Sequence, residues 1–284
     1  MRQIGFIGAG KVGTALGLYL TRAGYPVKGY YSRTYGSAQT SADITGTSAY
    51  ENIEDIAAAC DVLFLSVPDA AIRSVSDQLA ATPVDLTGKW VIHLSGAATS
   101  DIFSDMRGAY GISLHPAMAV SDSEKACREF PSAVFTIEGT SAEETQKAKE
   151  YFEGAGLSVL TIDKERKSLY HLACVFSSNL ACGLYEAALD ILHEAGFSHY
   201  EAGRIAGPLF MANARALADK GPEAALTGPV ERADLKTVER HLDVTPPEYR
   251  DIYIDLSQEL IRIARAKNPG RDYDELEEYL KEEK

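Results

Sequence analysis

The sequence is poor in cysteine and has no long uninterrupted apolar run. Its 284 residues include four cysteines, which show neither CxxC spacing nor another arrangement typical of metal ligands. We therefore expect no metal site and a reducing, cytoplasmic environment. No run of about 18 or more residues is free of polar side chains, so we expect no membrane-spanning segment. A strand-like run begins at residue 4, so we expect no signal peptide.

Positive charge is also scarce. The chain has 28 Lys and Arg residues against 41 Asp and Glu residues, a formal net charge of −13. This balance argues against a nucleic acid or an anionic membrane surface as a partner. Part of the negative excess lies in the tail "DYDELEEYLKEEK", which we interpret as a solvated helical end.

Apolar runs alternate with helical patterns through the first half of the chain. Such runs cover residues 4–8, 26–31, 61–69, 89–96, 110–116, 132–139 and 157–163. Their near-continuous apolar character predicts a mostly parallel, doubly wound α/β sheet of Rossmann type, covered on both faces. After Asp163 only long helical patterns follow. We therefore predict a nucleotide-binding domain over residues 1–163 and an all-α domain over residues 164–284.

The first strand leads directly into a glycine-rich turn. Gly8, Gly10 and Gly13 form a G-x-G-x-x-G pattern at a strand-to-helix junction, with Lys11 and Val12 inside it. In such a turn the glycines allow a tight bend, close approach of a pyrophosphate and close packing of the helix, whose N-terminus offers free N–H groups. The pattern predicts a bound dinucleotide. Its alternative is an ordinary structural turn.

The end of the second strand distinguishes between the two nicotinamide dinucleotides. An NAD site usually has an acidic residue there for the ribose 2′-hydroxyl. This chain has no carboxylate from residue 27 to residue 42, and it has Ser32, Arg33 and Thr34 instead. A guanidinium and two hydroxyls suit a 2′-phosphate, which favours NADPH. The alternative is that Arg33 is a solvated loop residue.

Two further strand ends are expected at the same edge of the sheet, where ligands bind in such folds. His115 ends a third strand just before Pro116, and it either lines the site or packs against the sheet. His93 lies inside a strand and is expected to be a hydrogen-bonded core histidine. The residues expected to line the nicotinamide half are Ser66, Val67, Pro68, Ser95 and Gly96.

The segment "KSLYHLACVFSSN" carries polar side chains through an apolar helical pattern. At 100° per residue, Lys167 and His171 lie on one face of the helix, about 6 Å apart along its axis. Ser178 lies on the same face, and these three residues form the polar strip. Asn179 lies at the edge of this strip, about 18 Å from Lys167 along the axis. The pattern indicates a helix along a cleft that contacts substrate near one end. The alternative is a solvated Lys167 and a buried, satisfied His171.

The segment "ALTGPVERADLKTVERHL" has two interpretations. Asp234 is placed to cap a helix, as in many loops. Thr227, Arg232 and Asp234 together near a helix N-terminus would instead hold a substrate carboxylate.

The motifs "GAGKVG", "YSR", "LHPAMAV", "KSLYHLACVFSSN" and "LTGPVERAD" together resemble the 6-phosphogluconate dehydrogenase-like superfamily. The closer resemblance is to a family of NADP oxidoreductases that pair a Rossmann-like domain with a C-terminal domain of unassigned function. Some members look like an alternative type of ketopantoate reductase. Ketopantoate reductases proper carry Lys-x-x-x-Asn on the corresponding helix; here Lys167 matches and His171 replaces the asparagine. That departure leaves the substrate and the proton donor open.

These observations predict NADPH-dependent reduction of a small anionic 2-oxo acid, with ketopantoate as the leading candidate. Lys167 or His171 would protonate the developing alkoxide. The alternative is a protein that senses NADPH without turnover. The helices between residues 168 and 267 are apolar on more than one face, which predicts a homodimer through the helical half, or a monomer whose helical domain covers the same surface.

Overall fold

An eight-stranded sheet organises the N-terminal part of the computed structural model, which describes residues 1–106 and 108–284. The strands are β1 (Ile4–Ile7), β2 (Val27–Tyr31), β3 (Ser48–Tyr50), β4 (Val62–Leu65), β5 (Trp90–His93), β6 (Tyr110–Pro116), β7 (Val134–Gly139) and β8 (Ser158–Thr161). Their spatial order is β3-β2-β1-β4-β5-β6-β7-β8. All neighbours are parallel except β6 and β7, which are antiparallel. The predicted doubly wound, mostly parallel sheet is confirmed.

Helices cover both faces of this sheet. They are α1 (Lys11–Arg22), α2 (Tyr35–Thr45), α3 (Ile53–Ala59), α4 (Asp69–Ala80), α5 (Ser123–Glu129), α6 (Ala142–Glu153) and α7 (Lys167–Ser177). Alternate residues of each central strand enter separate cores: Phe6 and Phe64 pack on one side, and Ile7 and Leu65 on the other. Burial on both faces explains why these strands are apolar without alternation.

The C-terminal residues form a separate compact unit made only of helices. These are α8 (Asn179–Glu194), α9 (His199–Ala225), α10 (Leu235–Val244), α11 (Pro247–Lys267) and α12 (Asp274–Glu282). Ser198 and Glu201 form a capping box at the start of α9, and Gly221 interrupts the helix with a φ of 77°. Val238, Ile254 and Leu276 lie in the core of this unit.

The border between the two units falls later than the sequence predicts. The first unit is Met1–Ser178 and the second is Asn179–Lys284, so α7 belongs with the sheet. The sequence predicts a boundary near Asp163 because the strand patterns stop there. The helix that follows is nevertheless held to the sheet, because Lys167 reaches Ser113 and Glu138 on β6 and β7.

One helical stretch bears on the expectation that nothing spans a membrane. Among the described residues, Lys164–Glu194 is long and apolar enough to do so by length and composition. Its most apolar stretch has a mean hydropathy of 1.3 and is 6% buried. Core helices of other proteins pass the same test. The cytoplasmic location and the absence of a membrane partner therefore stay predictions.

Candidate functional site

A groove of about 470 Å³ lies at the carboxyl ends of β1, β2 and β4. Eight of the predicted cofactor residues line it: Gly8, Gly10, Ser32, Arg33, Thr34, Ser66, Val67 and Pro68. Sequence reasoning did not find further lining residues on α2 and α4, among them Ser37, Ser74 and Gln78. They occupy ordinary helical positions with no motif. The structure therefore brings the glycine turn and the Ser32–Thr34 segment to one concave surface.

The glycine turn fits closely against the end of β4. Gly8 has a φ of 109°, and a Cβ there would meet the carbonyl group of Ser66. The Ser66 hydroxyl donates a hydrogen bond to the Gly8 carbonyl oxygen at 2.8 Å. A Cβ on Gly13 would meet the Ser66 side chain, so this glycine lets α1 approach β4. Gly10 is the N-cap of α1 and lines the groove, which directs the positive end of the α1 dipole toward a ligand there.

The far end of the groove is electrically suited to a phosphate. Arg33 is exposed there, and Thr34 is the N-cap of α2. The first turn of α2, residues 35–38, contains neither Asp nor Glu. A guanidinium, two hydroxyls and the positive end of a helix dipole therefore meet where an NAD site would have a carboxylate.

Polar side chains form rows across β5, β6 and β7, beneath α7. The strand register places His93 beside Ser113, and Ser113 beside Glu138. In the next row on the same face, His115 lies beside Thr136. The polar strip of α7 faces these rows, which explains why an otherwise apolar helix carries it.

Lys167 is buried at the start of α7, with 1% of its surface exposed. Its Nζ contacts the Ser113 hydroxyl and lies 3.5 Å from Oε1 of Glu138. Glu138 also accepts hydrogen bonds from the backbone N–H of Ser100 at 2.8 Å and from its hydroxyl at 2.6 Å. Burial lowers the pKa of Lys167 to about 8, against the opposing effect of Glu138. The solvated Lys167 that the sequence left open is wrong, and the placement favours a role in holding α7 to the sheet.

The side chains of His115 and His171 lie close to Gly96, three residues after the end of β5. A Cβ on Gly96 would lie 2.6 Å from Nδ1 of His171 and 2.8 Å from Nε2 of His115. The Tyr170 hydroxyl lies 2.9 Å from Nδ1 of His115. Burial, together with the charges of Lys167 and His171, lowers the pKa of His115 to about 4. Sequence reasoning missed Tyr170, although its position three residues after Lys167 puts it on the same face of α7.

The loop after β5 is organised by Ser95. Its hydroxyl donates to Oδ2 of Asp69 at 2.6 Å and accepts from the backbone N–H groups of Ala97 and Ala98. His93 is fully buried, and its Nδ1 accepts from the backbone N–H of Ser95 at 3.2 Å. Burial, with Lys167 nearby, lowers the pKa of His93 to about 3. The expectation of a core histidine agrees with this placement.

The remaining predicted residues lie elsewhere. Ser178 ends the first unit and donates to the Cys174 carbonyl oxygen at 2.7 Å, whereas Asn179 begins the second unit. Lys11 and Val12 form the first turn of α1, beside the groove-lining glycines.

Thr227, Arg232 and Asp234 all belong to the second unit. There Asp234 caps α10, accepting from the backbone N–H of Thr237 at 3.2 Å and from its hydroxyl at 2.8 Å. The capping interpretation of this segment therefore describes Asp234. The guanidinium of Arg232 is more than half exposed. No group of three His, Cys, Asp or Glu side chains is arranged for a metal ion in residues 1–106 and 108–284.

The sheet order and the groove at its carboxyl edge define a Rossmann-type nucleotide-binding protein. Family models agree: residues 1–116 match a Rossmann-like domain, and residues 133–260 match a domain of unknown function, DUF2520. The chain therefore combines a Rossmann-like domain with a match to this C-terminal domain, the combination that its motifs indicate. A search of curated proteins finds no match.

Solved structures of similar fold cover nearly the whole chain. Protein TM1727 from Thermotoga maritima is 26% identical, with a TM-score of 0.74 over 93% of this chain and 99% of its own. A reductive aminase from Aspergillus terreus, in complex with NADPH and ethyl-5-oxohexanoate, is 21% identical, with a TM-score of 0.63 over 98% and 99%. A pyrroline-5-carboxylate reductase from Coxiella burnetii is 17% identical, with a TM-score of 0.61 over 94% and 98%. These likenesses establish the fold.

Proposed function

We propose that the chain is an NADPH-dependent oxidoreductase that reduces a carbonyl group of a small molecule. The groove with Gly8, Gly10, Arg33 and Thr34 carries this proposal, because its donors match a pyrophosphate at one end and a 2′-phosphate at the other. The NADPH complex of the fold neighbour from Aspergillus terreus supports the same cofactor. NADPH supplies a hydride when bound. The residues of this chain bind it, orient the substrate and move a proton.

Cofactor preference tests the phosphate end of the groove. NADPH should bind at least about tenfold more tightly than NADH, which corresponds to about 1.4 kcal/mol. Arg33→Asp should remove most of that difference, because it replaces the guanidinium with a carboxylate beside the 2′-position. Lys28→Asp is the matched control: it makes the same charge change on an exposed residue of β2 that does not line the groove. Equal affinities in the unaltered protein would contradict the proposed phosphate contact.

We further propose that the substrate is a small 2-oxo acid, with ketopantoate as the leading candidate. NADPH oxidation with a panel of 2-oxo acids, including ketopantoate, tests this directly. The panel should also contain a cyclic imine, because a fold neighbour is a pyrroline-5-carboxylate reductase. If NADPH binds with the expected preference and no member of the panel oxidises it, an NADPH-sensing protein becomes the favoured function.

We infer that the proton donor lies near Gly96. His171 remains a catalytic candidate there, whereas Lys167 acts through its ion pair with Glu138. Alanine at either Lys167 or His171 should depress turnover far more than NADPH affinity, since neither lines the cofactor groove. Normal turnover in both variants would show that the polar strip has only a structural role.

A homodimer is the final part of the proposal. Large apolar side chains are exposed along consecutive helices: Leu169, Leu172 and Phe176 on α7, Leu180 and Leu184 on α8, and Ile205, Leu209 and Met211 on α9. Exposed apolar side chains on each of the two units mark interaction surfaces, and a second copy of the chain supplies matching ones. Sedimentation at micromolar concentration should give a mass of about 61 kDa, twice 30.7 kDa. A single species at the monomer mass would contradict it.

A further inference from the structure

Two imidazole rings occupy the space that a side chain at position 96 would fill. The rings of His115 and His171 lie edge to face, with centroids 6.1 Å apart. Nε2 of His115 points toward Gly96, whose Cβ would come within 2.8 Å of it. Gly96 follows β5, at the same carboxyl edge as the glycine turn that follows β1. Nε2 of His115 is therefore directed at the edge of the sheet where a substrate would meet the nicotinamide in this fold.

The other nitrogen of His115 is already engaged. Tyr170 lies 2.9 Å from Nδ1 through its hydroxyl, and the two rings are edge to face with centroids 5.6 Å apart. A neutral phenol is a stronger donor than a neutral imidazole N–H, and an imidazole nitrogen is a stronger acceptor than a phenol oxygen. Tyr170 therefore donates to Nδ1. A neutral ring that accepts at Nδ1 carries its hydrogen on Nε2.

We propose that His115, in this Nε2–H form, is the catalytic acid that protonates the reacting oxygen, and that Tyr170 is the positioning residue that sets its tautomer. The proposal rests on the proposed reductase function. It places the acid on β6 of the rigid sheet, whereas the sequence pointed to α7 alone.

The protons of this step move between His115, Tyr170, the substrate oxygen and water. The carbonyl carbon gains the hydride that NADPH supplies, and the C–O π electrons become a lone pair on oxygen. That oxygen takes the hydrogen of Nε2 as Nδ1 of His115 takes the hydroxyl hydrogen of Tyr170. The ring is then the other neutral tautomer, beside a Tyr170 phenolate. Solvent water gives a proton to Nε2 as Nδ1 returns its hydrogen to the phenolate, which restores both side chains. The product is an alcohol, and the ring is restored without passing through an imidazolium.

The surroundings of His115 keep it in the neutral state that this role requires. Lys167 and His171 on α7 disfavour a positive ring, and Asp69 on α4 opposes them more weakly. Burial is the largest influence and acts in the same direction as Lys167 and His171, so the pKa of His115 is lowered to about 4. A neutral imidazole is accordingly available as a donor throughout the physiological pH range.

Nitrogen-15 NMR of the full-length protein at pH 7 tests the assignment without any substrate. The His115 signals, identified by their loss in His115→Gln, should show a protonated Nε2 and an unprotonated Nδ1. In Tyr170→Phe, which keeps the aromatic ring, the signals should shift toward a mixture of both tautomers. An Nδ1–H ring or an imidazolium in the unaltered protein overturns the proposal. An unchanged tautomer in Tyr170→Phe overturns the role of Tyr170.

The chain contains a matched control pair. His241 and Tyr253 in the second unit have the same Nδ1-to-hydroxyl distance, 2.9 Å, and similar ring geometry, but their hydrogen bond is exposed. Tyr253→Phe should change the His241 signals and leave those of His115 unaltered.

Kinetics with NADPH and a reducible member of the 2-oxo acid panel provides the second readout. His115→Gln should lower kcat by about 10²-fold or more, and NADPH affinity should be unchanged. Tyr170→Phe should lower kcat less and add the ionisation of His115 to its pH profile, because without the phenol hydrogen the ring must donate as the imidazolium. A protein that fails to bind NADPH refutes the proposed function and leaves the tautomer result standing. A normal kcat in His115→Gln, with NADPH bound, refutes the catalytic role alone.

Discussion

Removal of the buried ammonium group of Lys167 should destabilise the N-terminal unit strongly. Lys167→Met keeps the length of the side chain and removes its charge. The change leaves the Glu138 carboxylate, 4% exposed, without its positive partner. Breaking one side of a buried ion pair typically costs about 3–5 kcal/mol. We expect a value near 3 kcal/mol, because the two Ser100 donors still satisfy the carboxylate oxygens.

Urea unfolding followed by tryptophan fluorescence measures the loss of stability in the N-terminal unit. The single tryptophan, Trp90, lies in β5 with 2% of its surface exposed, so its emission reports on the sheet. Lys164→Met is the matched control, since Lys164 pairs with Asp101 at 3.0 Å on the surface. An exposed pair of this kind contributes at most about 1 kcal/mol.

If Lys167→Met costs no more than Lys164→Met, the buried pair does not hold α7 to the sheet. A second variant distinguishes a charge effect from lost packing. Adding Glu138→Gln to Lys167→Met removes the uncompensated carboxylate, so the double variant should recover part of the lost stability.

Two other predictions concern the titration of the buried histidines and the glycine turn. His93 and His115 titrate at about 3 and about 4 when folded, below their ordinary value near 6.5, so the unfolded chain binds protons first as the pH falls. Stability should therefore fall below pH 6.5 by up to about 1.4 kcal/mol per pH unit for each ring, and urea titrations should show a shallower loss in His115→Gln. Gly13→Ala should abolish NADPH binding measured by calorimetry, because the new methyl overlaps Ser66; adding Ser66→Gly should restore part of it. Gly183→Ala, where no described heavy atom lies within 4 Å of the new methyl, should leave binding unchanged.

Much of the sheet could be predicted because its strands are buried on both faces. Each of the seven predicted strand runs contains an observed strand. The strand β3 was missed, since "SAY" is only three residues long and none of the three is buried. The border after α7, between Ser178 and Asn179, was not predicted for another reason. A helical pattern does not show which neighbouring element its polar face contacts.

The cofactor groove could also largely be predicted from the sequence, because the glycines and the missing carboxylate are visible in short stretches of it. Gly8, Arg33 and their neighbours needed only their place at strand ends. Ser74 and Gln78 could not be found in this way. They line the groove only because α4 packs across the sheet edge, and nothing in their own sequence shows it.

The polar strip of α7 shows where local patterns stop being sufficient. Its helical spacing predicted a shared face, but the partners of that face depend on the antiparallel pairing of β6 with β7. That pairing sets Ser113 beside Glu138 and His115 beside Thr136. A one-residue shift in the register would turn these side chains to the opposite face of the sheet. Lys167 would then be a buried charge with no carboxylate, so the same register that aligns His115 with Tyr170 also makes the burial of Lys167 tolerable.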